Sequence, residues 1–168
     1  MTQPSDTSPA LDINILKSSR HAKITGDFAE GLVLYWLSKH GFECARVDHS
    51  GIDLIARTPA SREHMGISVK SRCRATGTEQ SSVSIPNPNF TKAQAACDAF
   101  GCVPYFAIVV DESDVIRAYL LSMKHLLEIH PMSRATSQWS MRAKALESYA
   151  EDPEIKCFEF RSKTTCWW

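Results

Sequence analysis

Residues 51–72 read GIDLIARTPASREHMGISVKSR, and this stretch decides the fold. Two runs rich in β-branched and apolar residues, Ile52–Arg57 and Met65–Arg72, flank a polar connection, Thr58–Glu63, that carries Pro59. Such runs bounded by turn residues read as strands, and a connection this short predicts an antiparallel pair. Side chains two apart on a strand share a face. Ile52, Leu54 and Ala56 therefore form one side of the first strand, and Asp53, Ile55 and Arg57 the other. On the second strand Ile67 and Val69 oppose Ser68, Lys70 and Arg72. With the apolar sets turned to the core, Asp53, Ser68 and Lys70 are expected to point outward together: a carboxylate, a hydroxyl and an ammonium on neighbouring strands.

Upstream, Phe42–Val47 reads as a further strand, and Asp48–Gly51 as the turn joining it to Ile52. Before it, Ser19–His40 has apolar residues at three- and four-residue spacing (Ile24, Phe28, Leu32, Tyr35, Trp36), which predicts an amphipathic helix with that stripe buried. Gly41 is its stop. Downstream, the polar stretch from Arg74 to Asn89 is read as a long loop with room for a short strand at Ser81–Ile85. A helix is expected from Asn89 as cap, burying Phe90, Ala93, Ala96, Cys97 and Phe100 and ending at Gly101. Val103–Val110 is the most apolar run and reads as a central strand covered on both faces. Val115–Leu121 is another strand. Helices are expected at Ser122–Ile129 and Ser137–Tyr149, and an edge strand at Glu154–Phe160. The expected class is α/β (α+β): a mixed sheet flanked by helices, in the order helix, three strands, helix, strand, then C-terminal additions. The expected organisation is a flexible arm over 1–18, one domain over 19–160 and a tail over 161–168.

The 168 residues carry 19 Lys+Arg and 19 Asp+Glu. Zero net charge argues against a protein that coats nucleic acid indiscriminately. The balance is uneven, however: the first 75 residues carry a net +2 and the remainder −2. Residues 57–74 hold Arg57, Arg62, Lys70, Arg72 and Arg74 against Glu63. Lys17, Arg20, His21 and Lys23 lie at the start of the first helix. Such groups can contact phosphates; a solvated face is the alternative of equal weight. Lys92 and Gln94 open the second helix, whose N-terminus is positively polarised.

No run approaches the roughly 18 apolar residues of a membrane span, and the first residues lack the basic and apolar regions of a signal peptide. The six cysteines contain no CxxC pair, and Cys97 and Cys102 have no nearby histidine to complete a zinc site. They are read as reduced packing residues in a cytoplasmic protein. There is no phosphate-cradling glycine motif. Ser71 with His64 lacks an orienting carboxylate and an oxyanion hole, and His49 reads as a solvated turn residue. The terminal Trp167 and Trp168 are candidates for docking on the body or on a second subunit.

The helix segment GDFAEGLVLYWLSKHGF with Glu30, the turn and strand GIDLIA with Asp53, and the strand ISVKSR with Lys70 together resemble the PD-(D/E)XK nuclease superfamily. This is the restriction-endonuclease-like fold, and the resemblance is to its Holliday-junction-resolvase-like families. It covers about residues 20–110 and implies metal-assisted phosphodiester hydrolysis in DNA, or in RNA, with Mg²⁺ or Mn²⁺ as cofactor. By this resemblance Asp53 and Glu30 are the metal ligands, Lys70 is the catalytic lysine, and Ser68 occupies the place of the usual acidic ligand. Arg57, Arg72, Arg74, Lys23, Lys92 and Gln94 are the expected nucleic-acid contacts, and a homodimer is compatible with the family. A hydroxyl is a much weaker Mg²⁺ ligand than a carboxylate, so two alternatives to the nuclease stay open. One is a catalytically inactive nuclease-fold module that binds nucleic acid or a protein partner. The other is an unrelated small enzyme on a mixed sheet. Individually, Glu30 also reads as a helix-capping partner of Asp27, and Asp53 and Lys70 as solvated strand residues.

Overall fold

The structure, a computed structural model, describes residues 17–75, 77–112 and 114–161. Most of the expected arm (1–16), the tail beyond Arg161, Cys166 and the two terminal tryptophans lie outside the described residues.

Helix α1 (His21–Lys39) leads into a meander of β1 (Glu43–His49), β2 (Ile52–Arg57) and β3 (His64–Cys73). Both pairs are antiparallel. A short strand, β4 (Val83–Pro86), precedes helix α2 (Asn87–Phe100). The chain then returns as β5 (Val103–Asp111), parallel to β3, and turns back as β6 (Val115–Ser122). Helix α3 (Met123–Ile129), strand β7 (Thr136–Trp139), helix α4 (Ala143–Glu151) and edge strand β8 (Lys156–Arg161) complete the described residues. The main sheet has the order β1-β2-β3-β5-β6-β8, and β4 and β7 form a separate two-stranded sheet. The expected mixed sheet, meander, central strand and final edge strand are all present.

The sheet is covered on both faces, as β5 makes plain. Its Ala107 and Val109 join the core under α1, with Ala29, Val33, Trp36, Leu37, Leu54 and Ile67. Its Phe106, Ile108 and Val110 join the core on the other face, with Phe90 and Ala93 of α2. Period-two alternation in an apolar strand thus feeds two cores at once.

Four expectations are corrected here. The buried stripe of α1 is Ala29, Val33, Trp36 and Leu37, while Ile24, Phe28 and Tyr35 are about half exposed. Contact with the sheet, rather than the largest side chains, sets the phase of the helix. Helix α2 begins two residues before Asn89 and is entered from Pro86, with Pro88 in its first turn, where a fixed φ and a missing N–H cost nothing. Its Phe90, Ala93, Ala96 and Cys97 are buried as expected, whereas Phe100 is exposed. The expected helix over 137–149 is instead β7 followed by α4, because Thr136–Trp139 pairs with β4. Finally, Ile52 does not share the core of Leu54 and Ala56. It packs against Ala96 and Cys97 of α2, at the turn end of β2.

The packing of α2 on β3 depends on Gly66. A Cβ there would lie 2.5 Å from Cys97 Sγ and 3.3 Å from Cys102 Cβ. Gly66→Ala is therefore expected to destabilise the fold by about 1–3 kcal/mol through overpacking. In a Cys97→Ala background most of that penalty should vanish, because the obstructing sulfur is gone. A double-mutant cycle by urea denaturation measures this. Equal penalties in both backgrounds would show that the helix–strand contact is not responsible.

Candidate functional site

The antiparallel ladder of β2 and β3 runs from Arg57↔His64 to Leu54↔Ile67. Beyond it, the side chain of Asp53 takes over: its Oδ2 accepts the backbone N–H of Val69 at 2.6 Å. A carboxylate thereby replaces a main-chain acceptor where the strands part, and the bond fixes Asp53 beside β3. Gly51, just before it, brings the β1–β2 turn against the backbone of Lys92 and Ala93 in α2.

Two further groups lie within electrostatic reach of Asp53, and a third acts on one of them. Glu30 projects from the middle of α1. Burial and the nearby Asp53 carboxylate push its carboxyl above the ordinary value, while Arg46 pulls the other way. Lys70 projects from β3. Burial pushes its ammonium below the ordinary value; Asp53 opposes that shift, and Arg72 and Lys92 add to it. Lys92 of α2 is thus within electrostatic reach of Lys70. Glu30 and Lys70, read from two separate elements, each lie within electrostatic reach of Asp53, and Lys92 of a fourth element lies within reach of Lys70.

Ser68 departs from expectation. Alternation does place it on the side of Lys70, but α2 covers that face, so the residue is only 2% exposed. It stands in register with the core residue Phe106 of β5. The polar set on β3 is therefore graded in burial toward the strand end, and only Arg72 is exposed. Lys70 is half-buried and Ser68 wholly so.

The expected nucleic-acid contacts divide. Arg57 is at the far end of β2 from Asp53, paired with His64, and is not brought to the site. Arg74 is half-buried, and its Nη2 donates to the carbonyls of Ser81 and Ser82 at 2.7 and 2.9 Å, holding the segment before β4. Arg72 is exposed and donates to Ser71 O at 2.7 Å. Lys23 is exposed on α1 and ion-paired with Asp27 at 3.1 Å. Lys92 is exposed on α2, and Gln94, also exposed, donates to Asp98 at 2.7 Å. Ser71 and His64 sit at opposite ends of β3 and form no pair. His49 packs edge-on against Phe100, with ring centroids 5.2 Å apart.

One residue of this region was not foreseen. Arg46 of β1 donates through Nη2 to Asp27 O at 2.8 Å, and its Nε lies 3.9 Å from Glu30 Oε2. A lone arginine on a polar strand offers no local signal of this; only the docking of α1 on β1 brings the two together.

The donor set around Asp53 suits a hard cation. Two carboxylates close enough to perturb one another are relieved by a positive charge between them, and Mg²⁺ takes one or two carboxylates while keeping several waters. A group of three His, Cys, Asp or Glu side chains with converging ligand atoms occurs, among the described residues, elsewhere: His125, Glu128 and Glu154. There His125 Nε2 lies 2.8 Å from Asp152, and Nδ1 lies 3.0 Å from Glu154 and 3.4 Å from Glu128. Burial alone would lower the imidazole pKa. Hydrogen bonds to Asp152 and Glu128 outweigh it and leave the ring above its ordinary value, as suits an imidazolium tying α3 to the approach to β8. The five described cysteines are free. Among the described residues, no helix is long and apolar enough to cross a membrane.

No family model matches the sequence, and no curated protein matches it. The structure is similar to that of Hjc, a Holliday junction resolvase from the archaeal hyperthermophile Archaeoglobus fulgidus. The TM-score is 0.53 and the identity 16%, over 73% of this chain and 93% of that one. At that identity the likeness shows the fold alone: a mixed α/β architecture resembling that of the resolvase, with a six-stranded mixed sheet and four helices among the described residues.

Proposed function

We propose that this protein is a divalent-metal-dependent, nuclease-like protein that hydrolyses phosphodiester bonds in DNA, with Glu30 and Asp53 holding Mg²⁺ or Mn²⁺ and Lys70 as the catalytic lysine. The observation that carries the reading is the electrostatic proximity of Glu30 of α1 and Lys70 of β3 to Asp53, which is anchored where β2 and β3 part. When bound, the metal supplies Lewis acidity toward the phosphate and favours ionisation of the attacking water. The chain's own residues do the rest. Asp53, fixed by the Val69 N–H, and Glu30 present preorganised oxygens. Lys70, within electrostatic reach of Asp53, orients the attacking water and offsets charge developing on the phosphate. Lys92 and Arg72, within electrostatic reach of Lys70, and Lys23, within reach of Glu30, supply contacts to flanking phosphates, with Gln94 a further contact on α2; these position the strand without reading its sequence. A homodimer would bring two such centres to two strands, and RNA is the second substrate to assay.

Ser68 favours a second reading, a non-catalytic binding module on the same fold. By the resemblance, the buried hydroxyl of Ser68 takes the place of an acidic ligand, and one Asp53 oxygen is committed to Val69 N–H. Cleavage of linear, branched and single-stranded DNA with Mg²⁺ or Mn²⁺, alongside Mn²⁺ calorimetry, separates the two. Ser68→Glu is expected to raise Mn²⁺ affinity and cleavage by about tenfold over the isosteric Ser68→Gln, as an added charged oxygen ligand should. No cleavage and no metal binding in either the native protein or Ser68→Glu would sink the nuclease reading. Salt-sensitive DNA association of a native protein that cuts none of these substrates, surviving Asp53→Ala, would establish the module.

A further inference from the structure

We propose that Arg46 is a positioning residue that holds Glu30 of α1 toward Asp53 of β2. The inference rests on the nuclease reading of the site and adds a residue to it.

Arg46 is in register with Leu54, the neighbour of Asp53, and is the last regular pair before the β1–β2 ladder shifts; the next is His49↔Ile52. Irregularities of this kind re-aim side chains. Here the guanidinium crosses to α1 and meets it at two points one turn apart. Nη2 donates to the main-chain carbonyl of Asp27 at 2.8 Å, and Nε lies 3.9 Å from Glu30 Oε2. The guanidinium runs close along the helix: a Cβ at Gly31, the residue following Glu30, would stand in van der Waals contact with Nη2 at 3.4 Å. Asp27 and Glu30, three apart, lie on one face of α1.

An ordinary ion pair between half-exposed side chains contributes little, and Arg46 is 48% exposed on its side chain against 28% for Glu30. Its significance is geometric. The strand that carries Arg46 is bonded to the strand that carries Asp53, so one guanidinium links the placement of the helix carboxylate to that of the strand carboxylate. Lysine cannot reproduce this, because a point charge lacks the planar fork that serves a carbonyl and a carboxylate together. Groups that hold a metal-ligating carboxylate in place typically account for about 10–100-fold in metal affinity.

The test uses the full chain and the variants Arg46→Met, Arg46→Lys, Glu30→Gln and Arg46→Met/Glu30→Gln. Mn²⁺ affinity is measured by calorimetry, melting temperature by circular dichroism, and the Glu30 side chain is located in crystal structures of the native protein and Arg46→Met. Arg46→Met should weaken Mn²⁺ binding about tenfold with little change in melting temperature. Arg46→Lys should recover only part of that loss, and Arg46→Met should add nothing in the Glu30→Gln background. In the Arg46→Met crystal, Glu30 should turn away from Asp53. Unchanged affinity, additive effects with Glu30→Gln, or a Glu30 carboxylate that stays in place would each overturn the proposal. If the native protein binds no Mn²⁺ and cuts no DNA, yet Glu30 moves in Arg46→Met, the positioning role stands and the nuclease reading falls.

Discussion

Asp53→Ala is expected to abolish metal-dependent DNA cleavage, by about a hundredfold to a thousandfold, the usual result of removing one preorganised electrostatic group. It should also destabilise the protein, because Asp53 does two jobs. Its Oδ2 is the acceptor for Val69 N–H at 2.6 Å in a part-buried setting. Alanine leaves that N–H without its acceptor, at a cost of about 1–3 kcal/mol. Asparagine separates the two jobs: it keeps a carbonyl oxygen for Val69 and loses the charge. Asp53→Asn should therefore match the alanine variant in lost cleavage and lie much nearer the native protein in urea denaturation. Cleavage retained in Asp53→Asn would place the activity elsewhere. Equal destabilisation of the two variants would show that the hydrogen bond to Val69 is not what Asp53 contributes to the fold.

The double role also explains how much of this region was legible. Strands β2 and β3 could be read from apolar runs and the polar break between them, and the Asp53/Lys70 pairing followed from alternation alone. Alternation says which side chains share a face. It does not say what covers that face. Ser68 and Lys70 were expected to look outward, but α2 packs over them because Gly66 and Cys97 allow close approach there. The same blindness affects α1, where three- and four-residue spacing identified the helix but the bulky Ile24, Phe28 and Tyr35 drew the buried stripe to the wrong side. Its true inner face contains Ala29 and Val33, small enough to let the helix sit down on Leu54, Ile67 and Val109.

Long-range pairing was the other thing hidden. Residues 136–139 carry no strand signal strong enough to separate them from the helix that follows; partnership with β4, some fifty residues earlier, makes them a strand. Arg46 is invisible for the same reason, since its significance lies in Asp27 and Glu30, on a different element. Arg57 and Arg74 show the converse. A basic run counted along the chain looks like one patch, but strand direction sends Arg57 to the far end of β2, and Arg74 is spent on the carbonyls of Ser81 and Ser82.

Gly51→Ala should be strongly destabilising, at about 3 kcal/mol or more. Two independent penalties combine. Gly51 has φ +112°, a region that L side chains rarely adopt, and holding alanine there costs about 1–3 kcal/mol. A Cβ would also collide with the carbonyl of Lys92, 2.6 Å from its carbon and 3.0 Å from Ala93 N. These are main-chain atoms of a helix, with no rotamer by which to retreat, so relief requires the turn and α2 to separate, at a further ~1–3 kcal/mol. Gly77 is the control: its φ is +85°, but nothing lies within 4 Å of a Cβ there, so Gly77→Ala carries only the backbone penalty. Urea denaturation should place Gly51→Ala well below Gly77→Ala, and a variant of Gly51 recovered only as unfolded chain would lie at the far end of the same expectation. If the two variants are equally stable, the close approach of the turn to α2 is wrong. The consequence reaches the site, because the same turn delivers Asp53 and the same stretch of helix delivers Lys92. Any Gly51→Ala protein that does fold should therefore lose DNA affinity at low salt, where phosphate contacts count most, while Gly77→Ala keeps it.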